Sequence, residues 1–264
     1  MKHRPSSTVL ASVLHLGLVA GLSVSCGQQS ELASRTSVYG GKKVGRGTWA
    51  NVVALTDVSS GMYCSGTAVT PTLVVTAAHC ARGFDAADTN VYAGAGVEGG
   101  DVQGQYPVAR LVASPRYSHE GGGNDIAYVL LKKPLDLPES AYVPVLADSA
   151  ETKEVLAVGQ LGHIVGFGNR DDGGFGQKYE ADGKITSVNR LEVNVGGNGV
   201  DSCQGDSGGP VFGRLRSGEW RFFGVTSRGG ACGTGGIYGI VSANVCWIER
   251  DSGVDLGLPE GFCK

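Results

Sequence analysis

The sequence lacks the features that define several protein classes. It has only 9 prolines beside 44 glycines, and the glycines follow no fixed period, which excludes a collagen-like repeat. The glycines are mixed with runs of Val, Ile and Leu, which argues against a disordered chain. Long amphipathic helical patterns are scarce, and no basic run with interleaved aromatic residues indicates a nucleic-acid partner. The class that remains is a turn-rich globular β protein.

What is present is a series of short apolar runs between glycine-rich turns, from about residue 51 to residue 241. One of these runs covers residues 154–165 and another covers residues 184–195. Many short strands at this spacing predict an all-β barrel or sandwich. A short helix is indicated only near the end, over residues 243–251. The 264 residues suffice for one large domain or two small ones.

The N-terminal residues have the pattern of a secretory leader. Lys2 and Arg4 precede an apolar run over residues 9–22, and small residues follow up to Cys26. Residues 1–26 are therefore predicted to be a signal peptide. The apolar run is shorter than the roughly 20 residues that span a bilayer. Cys26 is either lipidated, as in bacterial lipoproteins, or removed with the leader, and the sequence does not decide between the two.

The chain after the leader is divided into two parts. Residues 27–37 are small and polar and are predicted to be a propeptide or linker, and residues 38–264 to be the folded domain. The protein is expected to be secreted, to the extracellular space or the periplasm, and to stay at a membrane only if Cys26 is lipidated. Six cysteines follow the leader, enough for three disulfides in an oxidising compartment.

A serine flanked by glycines is the first indication of chemistry. In Gly205-Asp206-Ser207-Gly208-Gly209 the glycines let the backbone turn sharply and hold Ser207 out toward a substrate. The nucleophile elbow of α/β-hydrolases has a similar pattern, but there the catalytic histidine follows the serine. No histidine follows Ser207. The subtilisin order of acid, histidine and serine would need Asp57, and helices that the sequence lacks.

The serine hydroxyl needs a base, and histidine has a suitable pKa. Three histidines follow residue 37. His79 comes directly after a strand-like segment and is predicted to be the general base, whereas His119 is interpreted as a solvated loop residue and His163 as a packing or surface residue. The third group must be a carboxylate that orients the imidazole. Asp125 in Asn124-Asp125-Ile126-Ala127, at the mouth of an apolar strand, is the candidate.

The order His79, Asp125, Ser207 resembles that of the trypsin and chymotrypsin family, and the similarity extends from residue 38 to about residue 249. The resemblance implies an all-β fold of two six-stranded antiparallel β-barrels packed face to face, with a short C-terminal helix and a catalytic cleft between the barrels. It implies a Ser-His-Asp endopeptidase that needs no cofactor. It also implies an oxyanion hole formed by the N–H groups of Gly205 and Ser207.

The cysteines fit the same resemblance. One expected disulfide lies behind the histidine, and a second frames the specificity pocket. The last two cysteines have no counterpart in the family and are expected to pair with each other. The three expected bonds are Cys64–Cys80, Cys203–Cys232 and Cys246–Cys263. No metal is expected, because Ala95 stands where some relatives have an acid of a calcium loop.

The resemblance also predicts the specificity. It matches Asp201 to the floor of the primary pocket. Gly229 and Gly236 match the pocket walls, and Ser227 matches a serine that lines the substrate groove. A carboxylate that is shielded from water is costly unless it is paired, so protein or peptide substrates with Arg or Lys at the cleaved bond are predicted. Arg228 replaces a tryptophan of most relatives and predicts neighbouring subsites that prefer acidic or polar residues.

The start of the predicted domain indicates a zymogen. Val38-Tyr39-Gly40-Gly41 resembles the Ile-Val-Gly-Gly start of mature family members, whose new ammonium group pairs with the acid before the catalytic serine, here Asp206. Cleavage before Val38 is therefore predicted to activate the protein. Since Ser37 precedes Val38 and the nearest arginine is Arg35, a separate activating protease or a trimming step is expected.

Two other functions compete with the peptidase as interpretations of the sequence. A catalytically inactive relative would keep the fold as a binding module, but such proteins usually lose a residue of the triad or the glycine before the serine, and this chain has all of them. An esterase of different fold would need a histidine after Ser207. The peptidase is the prediction that the residues favour.

Overall fold

The computed structural model describes residues 38–118, 123–171 and 173–264. The predicted leader and linker at residues 1–37, and His119, lie outside the described residues. In the part of the chain that is described, no helix has both the length and the apolar character needed to cross a membrane.

The described residues form mostly β-strands. In chain order the strands are β1 Lys42–Lys43, β2 Val52–Asp57, β3 Gly61–Ala68, β4 Leu73–Thr76, β5 Thr89–Gly94, β6 Val102–Ala113, β7 Ala127–Leu131, β8 Leu161–Gly166, β9 Tyr179–Val188, β10 Glu192–Val195, β11 Pro210–Arg214, β12 Trp220–Gly229 and β13 Gly236–Ile240. The α-helices are α1 Ala78–Ala81, α2 Ser149–Val155 and α3 Val245–Ser252, and short 3₁₀ turns cover Glu139–Ala141 and Val241–Ala243.

The first barrel closes in the strand order β2, β3, β4, β7, β6, β5. Strand β4 is buried along its whole length, and its β-branched Val74 and Val75 favour extended backbone. It pairs with β3 on one side and with β7 on the other. The residues that follow β4 therefore start from a fixed position in the core.

The second barrel consists of β8, β9, β10, β13, β12 and β11, and it closes because β11 also pairs with β8. The short strand β1 joins β9. Along β9, Ala181 and Ile185 are buried while Asp182 and Lys184 are exposed, as expected for a strand with one face on a core. The prediction of two six-stranded antiparallel barrels is confirmed.

Helix α3 confirms the predicted C-terminal helix. Val245 and Ile248 are its buried residues. It ends at Gly253, which adopts a left-handed φ of 73° and donates its N–H to the carbonyl of Glu249. The disulfide Cys246–Cys263 then ties the last residues of the chain back to the helix.

The run at residues 154–165 differs from the expectation. Its first two residues end helix α2, which is capped by the carboxylate of Asp148 through the N–H groups of Ala150 and Glu151. Strand β8 begins only at Leu161. The cap lies outside the apolar run, so the run alone did not indicate a helix.

The run at residues 184–195 is a hairpin and not one strand. Strand β9 ends at Val188 and β10 begins at Glu192. The side chain of Asn189 forms the turn by accepting the N–H groups of Leu191 and Glu192. Glu192 is thereby placed at the very start of a strand.

Candidate active site

His79 lies on α1, in the segment that follows the buried strand β4. Its backbone N–H donates to Asp125 Oδ1 over 2.9 Å, and its ring Nδ1 lies 2.8 Å from Asp125 Oδ2. One carboxylate therefore fixes both the main chain and the ring of the histidine. The structure brings the predicted base and the predicted acid together, and Nε2 of the ring lies 3.6 Å from Sγ of Cys80.

Asp125 is only 3% exposed. The hydroxyl of Ser227 donates to its Oδ2 over 2.6 Å. Burial acts to raise the pKa of this carboxyl, but the hydrogen bonds and charge of His79, with the bond from Ser227, outweigh burial and hold the pKa of Asp125 below its ordinary value. The carboxylate is thus ionised at neutral pH. Ser227, matched by sequence to a serine that lines the substrate groove, directs its hydroxyl to Asp125.

Ser207 lies in a tight loop that precedes β11. Gly205 has a φ of 93° and Gly208 a φ of 80°, left-handed conformations that side-chain-bearing residues rarely adopt. Ser65 of the first barrel holds this loop, since its N–H donates to the carbonyl of Ser207 over 2.8 Å and its hydroxyl to the carbonyl of Gly205 over 2.9 Å. A Cβ atom on Gly208 would lie 3.1 Å from the nitrogen of Ala77, close to the histidine segment.

The backbone of this loop offers two free donors. Within the described residues, the N–H groups of Gly205 and Ser207 donate to no other group, whereas those of Asp206, Gly208 and Gly209 donate to carbonyls. Unpaired N–H groups beside a nucleophile are what an oxyanion hole requires.

The hydroxyl of Ser207 is also unengaged. Ser207 is partly exposed, and in the described part of the chain its Oγ makes no hydrogen bond, not even with His79. Catalytic hydrogen bonds are often long or absent in free enzymes and tighten when the substrate binds. In this structure Oγ of Ser207 is not hydrogen-bonded to the ring of His79.

Asp201, matched by sequence to the floor of the primary pocket, is 1% exposed. Its Oδ2 accepts the N–H of Gly235 over 2.9 Å, while its Oδ1 has no partner among the described residues. Burial raises the pKa of Asp201 above its ordinary value. A Cβ atom on Gly236 would lie 2.9 Å from the free Oδ1, so the glycine keeps the approach to this oxygen open.

Asp206 is fully buried. Its two oxygens accept the N–H groups of Gly168 over 2.7 Å and of Cys203 over 2.8 Å, and no cation pairs with it among the described residues. Burial raises the pKa of Asp206 to about 7. Val38 is 1% exposed, and the next residue, Tyr39, pairs with Asp201. The predicted activation segment therefore already lies against the second barrel.

The guanidinium of Arg228 is partly exposed and is paired with a carboxylate. Its Nη1 and Nη2 contact the two carboxylate oxygens of Glu192 at 2.5 and 3.1 Å. Glu192 also accepts the N–H of Gly123 over 2.8 Å. No sequence pattern marks Glu192, because 36 residues separate it from Arg228 and only the pairing of β10, β13 and β12 brings the two together.

All three expected disulfides are confirmed. They are Cys64–Cys80, Cys203–Cys232 and Cys246–Cys263. The ligand atoms of Cys64, His79 and Cys80 lie within 4.8 Å of one another, the single group of this kind in the described residues. Since the two sulfurs are bonded to each other, this group is a disulfide beside the histidine and not a metal site.

Comparison with known proteins decides the family. The family model described as Trypsin matches residues 38–248. The chain belongs to the trypsin family. Its described domain is a serine endopeptidase domain of the trypsin type, as predicted. The match begins at Val38, the residue at which the sequence predicted the domain to begin.

Three relatives show how much of this chain, and of each relative, the similarity covers. A protein named trypsin from Saccharopolyspora erythraea is 31% identical over 209 residues, which cover 72% of this chain and 87% of that protein. Mouse atrial natriuretic peptide-converting enzyme is 31% identical over 250 residues, or 85% of this chain, but the match spans only 22% of that enzyme. Glucanase inhibitor protein 3 of Phytophthora infestans is 29% identical over 265 residues, covering 92% of this chain and 96% of that protein.

Proposed function

We propose that this chain is a secreted serine endopeptidase that cleaves after Arg or Lys and is made as a zymogen. The observation that carries the specificity is Asp201 Oδ1, a buried carboxylate oxygen without a partner among the described residues. Such an oxygen is costly to leave unpaired, and a cationic substrate side chain supplies the partner. Gly229 and Gly236 add no side chains that would shorten the pocket.

The proposed reaction uses the three predicted side chains. Oγ of Ser207 attacks the carbonyl carbon of the scissile bond while Nε2 of His79 takes the hydroxyl proton, and Asp125 stabilises the imidazolium. The oxyanion accepts the N–H groups of Gly205 and Ser207, each worth on the order of 3 kcal/mol in similar hydrolases.

The second half of the reaction restores the enzyme. The amine leaves with the proton from His79, and the acyl group stays on Ser207. A water molecule then attacks the acyl carbon as His79 takes its proton. The carboxylate product leaves as that proton returns to Oγ of Ser207. No other co-reactant is needed.

Asp206 supports the zymogen proposal. It is a buried carboxyl whose pKa lies at about 7 and which has no cation beside it in the described residues. A cut before Val38 would give Val38 a free ammonium group. That group would lie in the segment up to Gly40, which already contacts the second barrel. Pairing of the two charges would order the loop from Gly205 to Ser207, a switch set by one new charge. Because Ser37 precedes the cut, it is made by a separate protease or by trimming after a first cut elsewhere.

The proposed location is the extracellular space or the periplasm. The leader pattern at residues 1–26 and the three disulfides support export to an oxidising compartment. Anchoring to a membrane would need lipidation at Cys26. Sequencing of the mature N-terminus decides between a lipidated Cys26, a start at Val38 and a start in between.

A binding module is the second candidate function. The similarity covers 96% of the Phytophthora infestans relative, and that protein is named a glucanase inhibitor. Labelling with an organophosphonate separates the two candidates. The peptidase is labelled at Ser207 and cleaves a peptide library after Arg or Lys, whereas a module without activity is not labelled. Failure to label the chain that starts at Val38 contradicts the proposed peptidase.

A further inference from the structure

An ion pair lies beside the catalytic carboxylate. The hydroxyl of Ser227 donates to Asp125 Oδ2 over 2.6 Å, and Nη1 of Arg228 lies 3.5 Å from the same hydroxyl. A single hydroxyl group therefore separates a guanidinium from the carboxylate that orients the histidine. The side chain of Arg228 is 43% exposed, so it also forms part of the surface beside the pocket.

A cation at this position would oppose catalysis if nothing balanced it. The proposed reaction creates an imidazolium on His79, which Asp125 stabilises. A second positive charge near Asp125 repels the imidazolium and favours the neutral ring. An unbalanced Arg228 would therefore make the ring a weaker base.

Glu192 balances this charge. Its two oxygens contact Nη1 and Nη2 of Arg228 in a bidentate pair, the strongest geometry for guanidinium and carboxylate. The side chain of Glu192 is 15% exposed, and its Oε1 also accepts the N–H of Gly123, two residues before Asp125. One carboxylate thus holds both the arginine and the segment that leads to the catalytic acid.

We propose that Glu192 is a positioning residue that supplies the counter-charge of Arg228 and thereby preserves the basicity of His79. The inference rests on the proposed endopeptidase function. It also defines the neighbouring subsite. Because the pair is neutral as a whole while the outer edge of Arg228 keeps free donors, the subsite takes polar uncharged substrate residues in preference to acidic ones.

Among the described residues, Arg82, Tyr117 and Asp125 also lie near this pair. Arg82 lies over the ring of Tyr117, with its guanidinium carbon 4.9 Å from the ring centre. Burial raises the pKa of Tyr117, so this phenol stays neutral near neutral pH. The hydrogen bond from Arg228 lowers the pKa of Glu192 despite its burial, so that Glu192 stays ionised. Among the described residues, Glu192 is the carboxylate that contacts Arg228 directly, while Asp125 acts on it with a smaller electrostatic effect.

The test is a set of charge variants in the chain cut to start at Val38. Glu192→Gln keeps an acceptor for Gly123 but removes the charge, Arg228→Gln removes the opposite charge, and the double variant removes both. Arg228→Lys keeps the cation, and Glu260→Gln is the matched control on the exposed C-terminal segment. The readouts are kcat/KM against pH on an Arg peptide and the NMR titration of the catalytic imidazole.

The proposal expects shifts of opposite sign. In Glu192→Gln the acidic limb of the pH profile moves to lower pH by about half a unit, and in Arg228→Gln it moves to higher pH by a similar amount. The double variant, Arg228→Lys and Glu260→Gln stay near the native profile. Glu192→Gln also gains relative activity on peptides with Glu beside the cleaved residue.

Two results would overturn the proposal. Shifts of the same sign in both single variants, or unchanged profiles with a lower melting temperature, would show that Glu192 acts only on stability. The NMR titration reads the imidazole even in a protein without turnover. Absence of phosphonate labelling in the unsubstituted chain that starts at Val38 therefore rejects the peptidase function, whereas labelled enzyme with unshifted titrations rejects the role of Glu192.

Discussion

Four carboxylates in or near the site differ in pKa because their surroundings differ. Asp125 is held ionised by hydrogen bonds to His79 and Ser227, and Glu192 by its pair with Arg228. Burial without a cation raises the pKa of Asp201 and brings that of Asp206 to about 7. At the scale of the residue, the first two carboxylates have their partners within the domain. The other two need a partner from outside it, which on the proposed function is the substrate for Asp201 and the new N-terminus for Asp206.

Replacing Asp201 tests the specificity. Asp201→Ser removes the buried charge but leaves the triad intact, so kcat/KM on Arg peptides is expected to fall by about 10³-fold or more. Phosphonate labelling of Ser207 should persist, which serves as the control for a folded site. Strong native cleavage after Phe or Leu contradicts the assignment.

Replacing Asp125 tests the base. Asp125→Asn stabilises the wrong imidazole tautomer, and kcat is expected to fall by about 10⁴-fold. In the native enzyme the rate should rise with pH and then level off, because only a neutral ring accepts the serine proton. A rate that is independent of pH between about 5 and 8 would exclude a histidine base.

Lys178 gives a prediction on stability. It is 2% exposed, donates its Nζ to the carbonyl of Trp49 over 2.7 Å, and burial lowers its pKa from 10.5 to about 7. Between these two pH values the unfolded chain holds a proton that the folded chain has lost. The free energy of unfolding therefore decreases as the pH falls from 10.5 to about 7, and this penalty stays constant below pH 7.

Lys178→Met should remove that penalty. At pH 7 the variant is expected to be more stable than the native protein by about 1 kcal/mol or more. Urea unfolding at pH 7 and at pH 9.5 measures the difference, which should be smaller at the higher pH. Equal pH dependence in both proteins would show that Lys178 keeps its charge when buried.

At the scale of the element, the sequence predicted the parts that depend on local pattern. The apolar strand β4 and the amphipathic residues of α3 were found because their periodicity is visible over a few residues. Helix α2 was not found, because its cap at Asp148 precedes a run that continues into β8. The pairing of Glu192 with Arg228 could not be predicted from the sequence. It depends on the register of three paired strands, which no local sequence pattern encodes.

The C-terminal disulfide offers a prediction for one element. Cys246 and Cys263 are 17 residues apart, and a loop of that length contributes about 3 kcal/mol to stability. The variant Cys246→Ala/Cys263→Ala should lose about that much in urea unfolding while α3 stays packed through Val245 and Ile248. As a comparison, Cys64→Ala/Cys80→Ala should also lower kcat, because Cys80 adjoins His79. Equal activity loss in both variants would contradict this separation of roles.

At the scale of the whole molecule, the zymogen proposal predicts two forms of one chain. A chain with residues 35–38 made resistant to cleavage should hydrolyse Arg peptides at least about 10²-fold more slowly than a chain with a free Val38, because the oxyanion hole lacks its ordering charge. Asp206→Asn in the cut chain should bring the rate down toward that of the uncut one. Equal rates of the uncut and cut chains would reject the zymogen while leaving the triad assignment in place.

The proposed catalytic groups are divided between the barrels, with His79 and Asp125 in the first and Asp201 and Ser207 in the second. A ribosome completes the first barrel before it has made the serine. A nascent, truncated or half-folded chain consequently carries an incomplete set of groups and cannot digest its neighbours. On the proposed function, this division would protect the cell that makes the protein even before any activating cut.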